Sequence, residues 1–277
     1  MTEQMLMKNG LAEPAVQRIA KGIVAVYPKF DGECFVELAL TGLEELELKQ
    51  RVNHIIGVLQ QTLPEDFSQT CKLLTALPHH WDCGDPDDSL RGFAIWPVTD
   101  YVAVAGIEQP QLAYQALAAL SPLFSAEFAI RPFIEKYPEQ TLQQLQLWTN
   151  NEDEHLRRLA SEGCRPRLPW GVQLKQLIAD PTPILPILEA LKNDSSLYVR
   201  RSVANNLNDI AKDHPEQVLA LCLNWQQGAS SDLRWLIKHA TRSLVKQGHP
   251  KSFPLLDSNK KLVSNASWKA IQHPAYN

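Results

Sequence analysis

The chain has 277 residues, enough for one large domain or two modest ones, and a core of that size needs no disulfide staples. Its 44% hydrophobic and 21% charged residues are those of an ordinary globular protein, which excludes wholesale disorder and a collagen-like repeat. The formal net charge of -4 hides an asymmetry: 10 Lys/Arg stand against 19 Asp/Glu in residues 1–149, 13 against 11 in 150–250, and 4 against 1 in 251–277, so a polyanion would be met by the C-terminal half.

The longest apolar runs, Phe93 to Trp96 and Pro183 to Leu188, fall far short of the ~20 residues of a membrane-spanning helix. Met1 to Lys8 lacks the basic start and apolar core of a secretory signal, so a cytoplasmic location is expected. Cys34, Cys71, Cys83, Cys164 and Cys222 are scattered, odd in number and without a CxxC pair; they read as reduced thiols, with no zinc site.

Taken in chain order, Pro14 to Val26, Cys34 to Thr62, Phe67 to Leu77 and Pro110 to Lys136 carry apolar residues at three- and four-residue spacing and are predicted to be helical. The β-branched run Tyr101 to Ala105 is also placed in helix, and Cys83 to Asp88 reads as an acidic surface loop. Beyond residue 136 the pattern becomes a repeat. Tyr137-Pro-Glu-Gln-Thr-Leu-Gln-Gln-Leu-Gln-Leu-Trp148 recurs as His214-Pro-Glu-Gln-Val-Leu-Ala-Leu-Cys-Leu-Asn-Trp225, with Pro in the first turn and Glu near the positive helix end.

A second helix follows each time. Residues 154–162, 197–205 and 231–239 align through Leu156-Arg157, Val199-Arg200 and Leu233-Arg234, and Ala179 to Lys192 supplies the first helix of the middle pair. Helical hairpins at such periods stack into a solenoid, because no hairpin can bury its apolar side alone. The expected fold is therefore all-α: a single domain over 1–277, built as a right-handed α-solenoid of HEAT-like hairpins. Its repeats are degenerate in 1–136 and clear in 137–250, with a C-terminal tail at 251–277.

Within the middle second helix, Leu197, Val203, Leu207 and Ile210 form the expected buried side, while Arg201, Asn205 and Asp209 run down another face one turn apart. Arg158 and Glu162 align with Arg201 and Asn205, and the third pair offers Trp235 and His239, with Lys238, Arg242 and Lys246 beside them. In a solenoid the second helices line the concave groove, where an elongated ligand lies. Arg157, Arg200 and Arg234 follow an apolar residue in every repeat and read as structural, bonding carbonyls or acids between repeats. Arg158 and Arg201 fit either a solvated face or a ligand contact, and Glu162, flanked by Ala160, Gly163 and Cys164, either a cleft carboxylate or a structural ion pair. The stiff loop Gly163-Cys-Arg-Pro-Arg-Leu-Pro-Trp170 combines Arg165 and Arg167 with a stacking surface, Trp170, as nucleic-acid contacts do; a packing role is the plain alternative for the Trp. Upstream, Phe124 to Phe133 sets Glu127 and Arg131 one turn apart amid aromatics.

Ser125-Ala-Glu-Phe-Ala-Ile-Arg-Pro-Phe133, His155-Leu-Arg-Arg-Leu-Ala-Ser-Glu-Gly163, Arg165-Pro-Arg-Leu-Pro-Trp170 and Tyr198-Val-Arg-Arg-Ser-Val-Ala-Asn-Asn-Leu-Asn-Asp-Ile-Ala211 together resemble the AlkC branch of bacterial HEAT-like-repeat DNA glycosylases, densely from about 110 to 250. The resemblance implies excision of cationic N3-alkylated bases, 3-methyladenine and 3-methylcytosine, from double-stranded DNA without metal or organic cofactor. It implies that the lesion is reached without base flipping, in a short form lacking the immunoglobulin-like domain of longer relatives; a monomer is expected, as is common for capped solenoids. The family's active-site acids map onto Glu127, Glu162 and Asp209. Arg158, Arg165, Arg167, Arg201, Asn205, Lys238, His239, Arg242 and Lys246 would then meet DNA, with Trp170 and Trp235 as aromatic contacts. A non-catalytic HEAT-type scaffold binding protein or DNA is the alternative.

Overall fold

Helix follows helix through residues 6–255, the part of the chain that the computed structural model describes, and no strand occurs among them. The first elements are α1 (Glu13–Val26), α2 (Gly32–Leu40), α3 (Leu48–Thr62), α4 (Phe67–Ala76), α5 (Trp96–Ala105) and α6 (Pro110–Leu120). The expected helix over Cys34 to Thr62 is two. Gly42 takes a left-handed conformation (φ 72°) that a side chain disfavours, and a reciprocal cap between Glu47 and Gln50 restarts the chain as α3. Tyr101 to Ala105 lies in α5, as expected despite its β-branched residues.

The stretch Pro110 to Lys136 also divides, into α6 and α7 (Arg131–Lys136), with turns over 121–130. Pro122 cannot continue the α6 hydrogen-bond ladder, and Pro132 opens α7 in its first turn. Glu127 consequently stands on a turn, not on a helix.

The clear repeats then follow: α8 (Pro138–Trp148) with α9 (Glu154–Glu162), the short α10 (Lys175–Ala179), α11 (Leu185–Leu191) with α12 (Leu197–Ile210), and α13 (Pro215–Gln226) with α14 (Ser231–Ala240), before the short α15 (Arg242–Lys246). Prolines 181, 183 and 186 deprive the opening of α11 of backbone donors, so its first turn is a 3-10 turn at Thr182–Ile184. Side-chain caps start two of the three second helices: Asp153 accepts from the His155 amide at 2.8 Å before α9 and Ser230 from the Leu233 amide at 3.1 Å before α14, each contributing about 1 kcal/mol.

The second helices α9, α12 and α14 lie side by side as one layer, and α8, α11 and α13 form the other, each touching the second helix of its own pair. This is a helical-repeat solenoid. Leu159, Val199, Val203, Leu207 and Leu236 are wholly buried between the layers, contributing roughly 1.5–3 kcal/mol each. Leu197, expected on this buried side, is instead exposed: it is the first residue of α12, and Val199 occupies the inward position of that turn.

Small groups let α9 and α12 approach closely. Ser161 and Ser202 hydroxyls meet at 2.5 Å, and the Asn206 amide donates to the Ser161 carbonyl at 2.7 Å. The repeated first arginines are structural. Arg157 donates to the carbonyls of Asn151 and Glu152 and pairs with Asp194, Arg200 donates to those of Asp194 and Ser195, and Arg234 to that of Ala229. Each satisfies the orphan carbonyls of the loop preceding its own helix.

Candidate active site

The three carboxylates singled out in the sequence come together, although 82 residues separate the first from the last, and two arginines join them into one chain of charges. Arg158, on α9, places Nη1 at 2.6 Å from Glu127 Oε2 and from Ser125 Oγ, and Nη2 at 3.5 Å from Glu162 Oε1. Arg165 continues the chain: its Nη1 lies 2.6 Å from Glu162 Oε1, and its Nε and Nη2 both lie 2.9 Å from Asp209 Oδ2. Ser202 donates to Glu162 Oε2 at 2.7 Å and Lys212 to Asp209 Oδ1 at 3.0 Å.

Glu162 and Asp209 are almost fully buried, 4% and 3% exposed, so their charges depend on these partners. Burial works against the charge on both arginines, but Glu127 and Glu162 outweigh it at Arg158, as Glu162 and Asp209 do at Arg165, and both guanidinium pKa values rise. Among the oxygens of these three carboxylates, Glu127 Oε1 is the one that receives no hydrogen bond from the described residues.

A cavity of about 300 Å³ adjoins the charges, lined by Phe93, Trp96, Phe124, Phe128, Glu127, Glu162, Arg165, Leu168, Pro169 and Trp170. The Trp96 ring stacks with Phe124 (centroids 5.5 Å apart) and with Phe128 (5.3 Å). The site thus sets two carboxylates against an aromatic wall, a combination that favours a flat cation over an anion. A larger hollow of about 560 Å³ between α1 and α2 contains none of these residues. Among the described residues, no group of three or more His, Cys, Asp or Glu side chains is placed to hold a metal ion.

The loop carrying Arg165 and Trp170 is held from beneath by Arg131. Buried at 1% exposure, its guanidinium donates to the carbonyls of Gly163 and Arg165, both at 2.9 Å, and to that of Val172. Burial pulls the Arg131 pKa down to about 10, so at neutral pH it keeps its charge and all of these bonds. Trp170 itself, 55% exposed, has φ 63°, a left-handed conformation that costs a bulky residue about 1–2 kcal/mol and persists only under external restraint.

A family model of DNA alkylation repair enzymes matches residues 124–244, the segment that holds all three carboxylates. The alkylpurine DNA glycosylase AlkC of Pseudomonas fluorescens, solved bound to DNA containing an abasic site analog, superposes with a TM-score of 0.84 at 41% identity, covering 92% of this chain and 69% of that one. The protein YhaZ of Bacillus subtilis (strain 168) is 37% identical over 250 residues, which are 90% of this chain and 67% of that protein. The chain belongs to the AlkC-type DNA alkylation repair family.

Against that family assignment, the remaining residues singled out in the sequence divide into two sets. Arg158 and Arg165 do not stand free on the surface: their side chains are 15% and 9% exposed and are spent on carboxylates. Arg167 pairs with Asp213, Nε to Oδ2 at 2.8 Å and Nη2 to Oδ1 at 2.9 Å. Arg201, Lys238, Arg242 and Lys246, by contrast, are exposed and form no ion pair among the described residues. Arg242 is steadied by Asn205, whose Oδ1 accepts from its Nη2 at 3.0 Å and lies 3.2 Å from His239 Nε2. Burial, with Arg242 and Arg201 nearby, pushes the His239 pKa down to about 4, so His239 is a neutral ring at pH 7 and stacks flat on the 37% exposed Trp235, centroids 5.2 Å apart.

Sequence reasoning noted aromatics around Glu127 but not the wall they form with Phe93 and Trp96. Phe124 and Phe128 stand four residues apart around Glu127, which was a usable signal, whereas Trp96 and Phe93 reach the site from α5 and the turn before it and carry no motif. Tyr198 was missed as well; its ring lies under the Arg158 guanidinium, 4.7 Å to the centroid.

Proposed function

We propose that this protein is a DNA glycosylase that hydrolyses the N-glycosidic bond of cationic N3-alkylated bases, 3-methyladenine and 3-methylcytosine, in double-stranded DNA. The observation that carries the reading is the aromatic-walled cavity faced by Glu127 and Glu162, two acids that lie in the segment matched by the family model of alkylation repair enzymes. A base alkylated at N3 already bears positive charge and leaves without being protonated, so the enzyme's work is to stabilise the oxocarbenium-like sugar and direct water to it. Carboxylates serve both ends.

Glu127, with its unbonded Oε1, and Glu162 meet the sugar and the attacking water. Asp209, held by Arg165 and Lys212, fixes the Arg165 guanidinium and through it the orientation of Glu162. Trp170, at the exposed rim, packs against the lesioned nucleotide. Phosphates fall to the unpaired cations Arg201, Lys238, Arg242 and Lys246, while the neutral Trp235 and His239 stack offers an aromatic surface beside them. No metal or organic cofactor enters this scheme, and no extruded-base pocket is required of it. We further read residues 1–277 as one repeat domain acting as a monomer in the cytoplasm; no helix among the described residues is long and apolar enough to cross a membrane.

The test is to incubate purified protein with methylated DNA and identify released bases by mass spectrometry. Release of 3-methyladenine and 3-methylcytosine without 7-methylguanine is expected. Lesion binding without release would leave a DNA-binding protein without the reaction, and neither would point to a scaffold.

A further inference from the structure

The cavity has two sides of different origin. One is the loop ending at Trp170, inside the segment shared with the family model; the other is Phe93 and Trp96, which precede that segment and stand on the degenerate N-terminal repeats. Trp96 is 2% exposed, and its indole N–H donates to Asp100 Oδ2 at 2.7 Å, one turn further along α5. That bond fixes the plane of the ring on which Phe124 and Phe128 stack. Burial pushes the Asp100 carboxyl up to about 7, while the Trp96 bond and the Lys49 charge act in the opposite sense.

Lys49, in the first turn of α3, also reaches across to the other side: its ammonium donates to the backbone carbonyl of Trp170. Trp170 is the only non-glycine residue with a left-handed backbone among the described residues, and Lys49 is the one side chain bonded to its carbonyl there. A single exposed lysine, 121 residues away in sequence, thus ties down the strained turn while its charge bears on the carboxylate behind the facing wall.

We propose that Lys49 and Asp100 are positioning residues of the catalytic cavity, setting the spacing of its two aromatic walls through the Trp170 carbonyl and the Trp96 indole. The consequence for excision rests on the glycosylase reading above; the effect on the loop does not. Because Lys49 is exposed, its loss leaves global stability nearly unchanged but frees the turn.

The experiment uses the full chain as wild type, Lys49→Met and Lys49→Arg. Hydrogen exchange is read without DNA at the amides of Gly171 and Leu174, which bond to the carbonyls of Leu168 and Pro166, both at 3.1 Å. In Lys49→Met these amides exchange on the order of 10-fold faster, with a melting temperature within about 2 °C of wild type. On 3-methyladenine DNA the single-turnover rate at saturation falls about 10-fold, with half-saturation changed less than about twofold, as misplacement without loss of phosphate contacts requires. Lys49→Arg, which keeps a charged donor, restores both. Wild-type exchange in Lys49→Met overturns the proposal, as does accelerated exchange with an unaltered rate, or failure of Lys49→Arg to rescue. Should wild type excise nothing, the glycosylase reading falls, and the exchange comparison alone decides whether Lys49 holds the turn.

Discussion

Arg165 distinguishes a buried organiser from a DNA-binding cation. Replacing it by Met keeps much of the side-chain volume but removes the contacts to Glu162 at 2.6 Å and to Asp209 at 2.9 Å. Ser202 and the more distant Arg158 would still face Glu162, and Lys212 would still face Asp209, but the charge between the two buried acids would be gone. Breaking a buried pair from one side costs about 3–5 kcal/mol, because the surviving charges stay desolvated. At about 2–4 °C per kcal/mol for a domain of this size, Arg165→Met should melt roughly 6–20 °C lower. Its DNA affinity, measured by fluorescence anisotropy on abasic-site DNA at several salt concentrations, should keep the wild-type salt slope, since no phosphate contact is lost. Arg201→Met should do the opposite: an unchanged melting temperature and a slope shallower by about 0.9, one released counterion. If Arg165→Met melted with wild type and lost one counterion of slope, the guanidinium would be a phosphate ligand and the proposed site geometry would be wrong.

Glu162→Gln keeps the Ser202 bond but removes the charge facing Arg165 and Arg158; single-turnover assays on 3-methyladenine DNA should show at least a 10²-fold loss, with a stability cost of about 1–3 kcal/mol by chemical denaturation. Asp100, whose carboxyl is pushed from 3.8 to about 7 by burial, binds its proton more tightly folded than unfolded, so it lowers stability as pH rises between those values and no further above them. The decline is on the order of 4 kcal/mol, and Asp100→Asn should abolish it; parallel stability curves for the two proteins from pH 4 to 8 would count against this. Gly163→Ala places a Cβ 2.6 Å from Ile130 Cγ2 and 3.0 Å from the Leu159 carbonyl, beside the carbonyl that Arg131 grips. A loss of about 1–3 kcal/mol is expected in thermal melts, and wild-type stability would mean that the α9 end yields more freely than its packing implies.

Much of the site was legible because the fold is a repeat. Helical periodicity puts Arg201, Asn205 and Asp209 on one face, and alignment of repeats brings Arg158 and Glu162 beside it, so the acids of α9 and α12 could be paired without knowing any distance. The structural arginines were legible for the same reason: a residue that recurs at one position in every hairpin satisfies something every hairpin has, here the carbonyls of the preceding loop. What the sequence did not show was which cations are already paired within the protein. Arg158 and Arg165 look in sequence like Arg201, and Asp213 gives no sign that it will claim Arg167, because an ion pair between residues 46 apart leaves no local pattern.

The sequence by itself determined that the chain is helical and the order in which its clear hairpins stack, since these follow from hydrophobic spacing and proline, local or repeated at fixed intervals; it did not show the breaks at Gly42 and Pro122. Only the tertiary structure decided which charges neutralise one another and which remain for a partner, and that Trp96, Asp100 and Lys49 reach the same cavity as Trp170. Those outcomes depend on distances between elements far apart in the chain, and a solenoid fixes such distances by the accumulated packing of every intervening helix.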